Sequence, residues 1–295
     1  MQVFKGAGVA IVTPMKDNEE VNYDKLEELI NIQIDAGTDA IIIVGTTGEG
    51  STLSMEEHRF TIKKAVEFVK GRIPVVAGTG SNCTKTAIQL TKEAEEDGAD
   101  AALIVTPYYN KSTQEGLYQH YSRIADETKL PIIMYNVPGR TGTNILPETA
   151  ARLIKDKENI VGVKDATANM AQSSKMMYLT DGKMDLYSGE DGLVVPLLSI
   201  GAVGVISVVS DVMPKEVHDM CQYWFDGKTE EAAKLQRYLL PMVDALFCEV
   251  NPIPVKNAMN MMGLSVGPLR APLFDLTPEH REYLKGVLKD YGLIS

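Results

Sequence analysis

Asp35-Ala36-Gly37-Thr38-Asp39-Ala40 and Glu96-Asp97-Gly98-Ala99-Asp100-Ala101 share one pattern: the end of an amphipathic stretch, a glycine, then entry into an apolar run. A glycine at such a place closes a helix in the left-handed conformation, and the chain then enters a strand. The two copies lie roughly 60 residues apart, which suits two βα units of about 30 residues each. Ile200-Gly201-Ala202-Val203 reads as a third copy.

Working outward from these copies, short β-branched runs alternate with helical patterns. The runs are Gly8–Val12, Ala40–Val44, Pro74–Ala77, Ala101–Val105, Pro131–Tyr135, Ile160–Val163, Met184–Tyr187 and Val203–Ile206. Most are continuously apolar, as parallel strands covered on both faces must be. Asn22 to Asp35 reads as a helix, Ser54-Met55-Glu56-Glu57 has the spacing of a capping box, and Pro147 suits a first helical turn. Eight strand–helix units ending near residue 225 predict an α/β fold, a (β/α)8 TIM barrel, with a doubly wound open sheet as the alternative. Beyond Lys228 no good strand remains; Glu230–Glu249, Ile253–Met262 and the segment opened by Thr277-Pro278 read as helices. The expected organisation is a catalytic barrel over 1–227 and an appended C-terminal helical layer over 228–295, with Met259, Met261 and Met262 as packing residues.

The 295 residues carry a net charge of −11 and are 44% hydrophobic. Such a chain lacks the basic footprint of a nucleic-acid or anionic-membrane binder. An anionic substrate would have to be met by a few local cations or backbone N–H groups. Cys83, Cys221 and Cys248 are odd in number and lack metal spacing, so they read as reduced thiols. The first residues show no signal-peptide pattern and no window is long enough to span a bilayer, so a cytoplasmic location is expected.

A barrel collects its chemistry at the C-terminal ends of its strands. Here those ends carry Gly45-Thr46-Thr47-Gly48-Glu49-Gly50, Tyr108-Tyr109-Asn110, Tyr135-Asn136-Val137-Pro138-Gly139-Arg140-Thr141-Gly142, Lys164, Ser188-Gly189-Glu190 and Ile206-Ser207. The Gly-Thr-Thr-Gly segment reads either as a plain tight turn or as a nest of N–H groups and hydroxyls for a carboxylate. Tyr108, Tyr109 and Tyr135 read as packing residues or as proton-transfer groups. Arg140 reads as a surface arginine or as a carboxylate clamp.

Lys164 is the most telling of these. It ends the apolar run Ile160-Val161-Gly162-Val163. Burial disfavours an ammonium, so a lysine held there becomes a usable nucleophile toward a ketone. Taken alone it also reads as a solvated lysine paired with Asp165; the neighbouring rim motifs favour the nucleophile. Other signals fail. Cys83 stands where a dinucleotide fingerprint needs its third glycine, and Lys85-Thr86 lacks the glycine of a P-loop. His58, His120, His218 and His280 fall in helical stretches away from the rim, which argues against a zinc-dependent aldolase. No cofactor and no metal is expected.

The rim motifs together resemble the dihydrodipicolinate synthase (4-hydroxy-tetrahydrodipicolinate synthase) family of Schiff-base-forming pyruvate lyases, over essentially the whole chain. The resemblance implies condensation of pyruvate with L-aspartate 4-semialdehyde in diaminopimelate and lysine biosynthesis. It implies an imine on Lys164 and a proton relay of Tyr135, Thr47 and Tyr109, with Tyr109 supplied by a neighbouring subunit of a homotetramer built as a dimer of dimers. It further implies that Thr46 and Thr47 hold the pyruvate carboxylate, that the backbone of Gly189 and Ile206 lines the pocket, and that Arg140 binds the carboxylate of the semialdehyde. One site departs from the feedback-inhibited members: Met55 and Thr86 stand where they carry histidine and glutamate, while His58, Asn82 and Tyr108 remain. Weak or absent inhibition by lysine is therefore expected. The rival readings are an N-acetylneuraminate lyase or 2-keto-3-deoxy sugar-acid aldolase of the same superfamily, and a barrel that binds without catalysing.

Overall fold

The computed structural model describes residues 2–295. The chain begins β1 (Gly6–Ala10), α1 (Tyr23–Asp35), β2 (Ala40–Ile43), α2 (Met55–Val69), β3 (Val75–Gly78), α3 (Thr84–Glu96), β4 (Ala101–Val105) and α4 (Gln114–Ala125). It continues with β5 (Ile132–Asn136), α5 (Pro138–Thr141), α6 (Pro147–Asp156), β6 (Ile160–Asp165), α7 (Met170–Leu179), β7 (Asp185–Ser188), α8 (Val194–Ser199), β8 (Gly204–Ser207) and α9 (Pro214–Phe225). Helices α10 (Thr229–Leu246), α11 (Ile253–Met261) and α12 (Pro278–Asp290) complete it. The strands are parallel, each pairs with its sequence neighbour, and β1 also pairs with β8, so the sheet is a closed barrel and not an open one.

The repeat has a common structural cause. Gly37, Gly98 and Gly201 all have positive φ (95°, 88° and 100°). In each copy the next residue's N–H reaches back five residues: Thr38 to Gln33 O, Ala99 to Ala94 O, Ala202 to Leu197 O, all at 3.0 Å. This is the helix-ending turn that glycine permits. The aspartate that follows in the first two copies then docks the preceding strand. Asp39 Oδ2 accepts from Ala7 N at 2.8 Å, and Asp100 Oδ2 accepts from Val75 N at 2.8 Å. The expected capping box also forms: Glu57 N donates to Ser54 Oγ at 3.1 Å, and Ser54 N donates to Glu57 Oε2 at 2.9 Å.

Two apolar layers result. Side chains from alternate strand positions, among them Ile42, Val76, Leu103, Ile133 and Tyr187, fill the barrel. The other strand positions meet the helices in a larger outer core. Tyr187 closes the interior by stacking on Phe4 with ring centroids 4.4 Å apart and donating to Phe4 O at 2.8 Å. The C-terminal helices are bound to this barrel by polar contacts as well as packing. Lys256 on α11 is 1% exposed and its Nζ lies 2.7 Å from Glu49 Oε1 in the loop after β2. Arg270 binds Glu57 through two N–H groups and donates its backbone N–H to Glu49 Oε2 at 2.9 Å.

Candidate active site

Lys164 and Tyr135 are register partners on β6 and β5. Partners across neighbouring strands share a face, and Tyr135 belongs to the interior cluster. The register shifts between Ile132, which pairs with Ile160, and Ile133, which pairs with Gly162; Val161 is skipped. Without that one-residue irregularity Lys164 would point out toward the helices. Nothing in the bare apolar run announces this bulge.

Lys164 is 6% exposed and its Nζ lies 4.3 Å from the centre of the Tyr135 ring. Among the described residues no carboxylate is in ion-pair contact with it. Asp165, the partner of the solvated reading, is turned away: its Oδ2 accepts from Ser173 Oγ at 2.6 Å and its Oδ1 from Thr167 N at 3.1 Å. Burial lowers the Lys164 pKa to about 8; the charge of Asp191 opposes that shift and Arg140 adds to it. Asp191 is itself buried just beyond β7, with Oδ2 accepting from Val208 N at 2.9 Å. Burial raises the phenol of Tyr135, and the Arg140 charge and the Thr46 side chain offset part of that rise.

The neighbouring threonines divide differently from the sequence expectation. Thr46 is exposed, lines the groove at the barrel mouth and reaches the Tyr135 phenol; Thr47, expected beside that phenol, is 2% exposed and accepts a hydrogen bond from Asn251 Nδ2 at 3.0 Å. Val44, which leads into this turn, has φ 50°. Arg140 sits on the short helix α5, opened by Pro138 and closed by Gly142 with φ 69°. Its Nη2 donates to Asn251 O at 3.1 Å. Gly189 N donates to Asp165 O at 2.8 Å, and a Cβ on Gly189 would lie 2.8 Å from that of Ala166, so only glycine lets β7 end this close to β6. Ile206 is buried on β8.

Tyr109 is the one expected catalytic side chain that this chain leaves in water: it is 91% exposed, with φ 72°. Tyr108 lines the groove, which has a volume of about 420 Å³ and also reaches Met55, His58 and Thr86. That size suits a small-molecule ligand, typically held in roughly 300–1,000 Å³. His58 corrects the expectation that all four histidines avoid the rim. It lies on α2, yet its Nε2 reaches Gly78 O at the end of β3, at 2.9 Å. Burial lowers its pKa.

Sequence reading missed Asn251, Asp191 and the Glu49–Lys256 pair. Asn251-Pro252 between two helical stretches was the available signal, since such dipeptides mark turns where side chains meet backbone. No local pattern marks a lysine inside an apolar helix as paired with a loop far away in sequence.

Residues 3–291 match the model of the dihydrodipicolinate synthetase family. A curated relative from Lachnoclostridium phytofermentans, named 4-hydroxy-tetrahydrodipicolinate synthase, is 54% identical over 294 residues, covering 100% of both chains. The crystal structure of dihydrodipicolinate synthase from Thermotoga maritima superposes with a TM-score of 0.97 at 45% identity, over 99% of this chain and 100% of that one. The chloride-inhibited enzyme from Acinetobacter baumannii, solved in complex with pyruvate, matches with a TM-score of 0.96 at 48% identity, over 98% of this chain and 99% of that one. By its rim motifs, its closed barrel and its full-length relatives, this chain belongs to the dihydrodipicolinate synthetase family.

Proposed function

We propose that this chain is a 4-hydroxy-tetrahydrodipicolinate synthase, a class I lyase that condenses pyruvate with L-aspartate 4-semialdehyde in diaminopimelate and lysine biosynthesis. The observation that carries the reading is a buried amine, without a carboxylate in ion-pair contact among the described residues, lying over Tyr135 at the barrel mouth. The free amine of Lys164 adds to the ketone of pyruvate, and loss of water leaves a protonated imine. That imine accepts the electron pair freed when a proton leaves the pyruvate methyl group. The resulting enamine forms a carbon–carbon bond to the aldehyde carbon of the second substrate, whose oxygen takes up a proton. Attack of the substrate's own amino group on the imine carbon then closes the ring and returns Lys164.

In this reading Tyr135 moves protons, with Thr46 as the hydroxyl beside it. Thr47 and the backbone of its turn hold the pyruvate carboxylate, Gly189 and Ile206 shape the pocket, and Arg140 takes the carboxylate of the semialdehyde. Exposure of Tyr109 supports its donation to a neighbouring subunit of a homotetramer. Residues 1–227 act as the catalytic barrel and 228–295 as the helical region that completes its rim. A cytoplasmic setting fits the biosynthetic role, and no described helix is long and apolar enough to cross a membrane.

Reduction with borohydride in the presence of pyruvate tests the reading. The expected product is a stable adduct on Lys164 and turnover only when the semialdehyde is added. Cleavage of sialic acid or keto-deoxy acids in preference to that condensation would assign the rival aldolase activity, and no adduct would leave a barrel that only binds.

A further inference from the structure

We propose that Asn251 is a positioning residue that fixes the Thr47 hydroxyl as a hydrogen-bond donor and thereby sets a preference for α-keto acids over neutral ketones. The proposal deepens the function proposed above and rests on it. Asn251 precedes α11, far from the barrel in sequence, and is 5% exposed. Its Nδ2 donates to Thr47 Oγ1 at 3.0 Å, and its backbone oxygen accepts from Arg140 Nη2 at 3.1 Å. One residue thus touches both groups assigned to substrate carboxylates.

The chemistry of the first bond gives it direction. A hydroxyl has one hydrogen and two lone pairs, whereas a carboxylate only accepts. With the Asn251 amide donating to Thr47 Oγ1, the threonine's hydrogen is left to point elsewhere, and among the described residues no acceptor takes it. A carboxylate oxygen is the ligand group that this arrangement suits. The Asn251 Oδ1 is buried without a hydrogen-bond partner among the described residues.

The test measures the pyruvate dependence of borohydride trapping and of turnover in Asn251→Ala, Thr47→Val and the double variant, with methyl pyruvate as the uncharged comparison. Asn251→Ala is expected to weaken pyruvate about 10- to 100-fold, the range for a hydrogen bond to a charged group. Methyl pyruvate and the KM for the semialdehyde should change about twofold or less, because the Arg140 contact uses the Asn251 backbone. In the Thr47→Val background the same substitution should add little, since the two residues act as one unit. Additive losses, or equal losses for methyl pyruvate, would overturn the proposal. Asn251→Asp keeps the volume and removes the donor; retained pyruvate preference there would show that the amide does not donate to Thr47 and would likewise overturn it. Wild-type protein that traps no pyruvate would refute the proposed function itself, a result visible before any variant is made.

Discussion

Two lysines of this chain are buried in opposite ways. Lys256 is 1% exposed and saturated: Nζ lies 2.7 Å from Glu49 Oε1 and also donates to Thr13 O and Pro268 O. Burial pulls its pKa down while Glu49 pulls it back. Lys164 is 6% exposed and has an aromatic face but no ion-pair partner among the described residues. Its pKa falls to about 8. With an ordinary pKa near 10.4 only about 0.04% of the side chain would be free amine at pH 7; at about 8 the share is roughly a tenth. The contrast shows that burial alone does not make a lysine a nucleophile. Withholding the counter-charge does, and the fold supplies that charge to one lysine and not the other.

The largest effect that could break this contrast is on turnover. Lys164→Met should lower it by roughly 10³-fold or more and abolish the pyruvate adduct, whereas Lys256→Met should still form an adduct in whatever fraction remains folded. Substantial turnover in Lys164→Met would end the assignment. Next comes stability. Removing Lys256 strands Glu49 in the interior, so Lys256→Met should destabilise by about 3–5 kcal/mol in urea unfolding. Removing Lys164 should act with the opposite sign. Its folded pKa lies below its unfolded one, so the fold disfavours the ammonium. The penalty is fully present below about pH 8 and fades as pH rises toward the unfolded value. Lys164→Met should therefore be more stable than the parent near pH 7, by an amount of order 3 kcal/mol, and by little near pH 10. Equal or lower stability at pH 7 would mean that Lys164 is compensated after all.

Smaller effects sharpen the picture. Tyr135→Phe keeps the ring beside Lys164 and removes the phenol. Turnover should fall about 10²- to 10⁴-fold while trapping of the imine persists; parallel loss of both would make the tyrosine a packing residue only. The smallest effect concerns feedback. With Met55 and Thr86 in the groove beside His58 and Tyr108, added lysine should inhibit weakly or not at all, and tight binding in calorimetry would contradict this. Thr86→Glu supplies a carboxylate for the ligand's ammonium group and should strengthen any response.

The barrel was legible because its cause is local. Apolar runs that need cover on both faces, and glycines such as Gly37 and Gly98 whose positive φ ends a helix, act within a few residues. The rim motifs were legible for the same reason: each occupies one strand end. What escaped depends on distance or on a single-residue shift. The bulge opposite Ile132 decides that Lys164 faces inward, yet Val161 looks like any strand residue. Adjacent threonines cannot be told apart by composition, and the turn after Val44 gives the groove to Thr46 and the Asn251 contact to Thr47. Lys256 and Asn251 lie in a segment read as a packing layer; their partners Glu49 and Thr47 are brought to them only by the closed barrel.

Among the lysines, Lys164 is the proposed nucleophile toward a keto acid, buried and with its pKa lowered to about 8. The most direct measurement of this is the rate of pyruvate trapping by borohydride between pH 6 and 10, with the labelled peptide mapped. A single labelled site, Lys164, and a rate rising through a midpoint near pH 8 are expected. Label spread over several lysines, or a midpoint near that of an ordinary lysine, would contradict it.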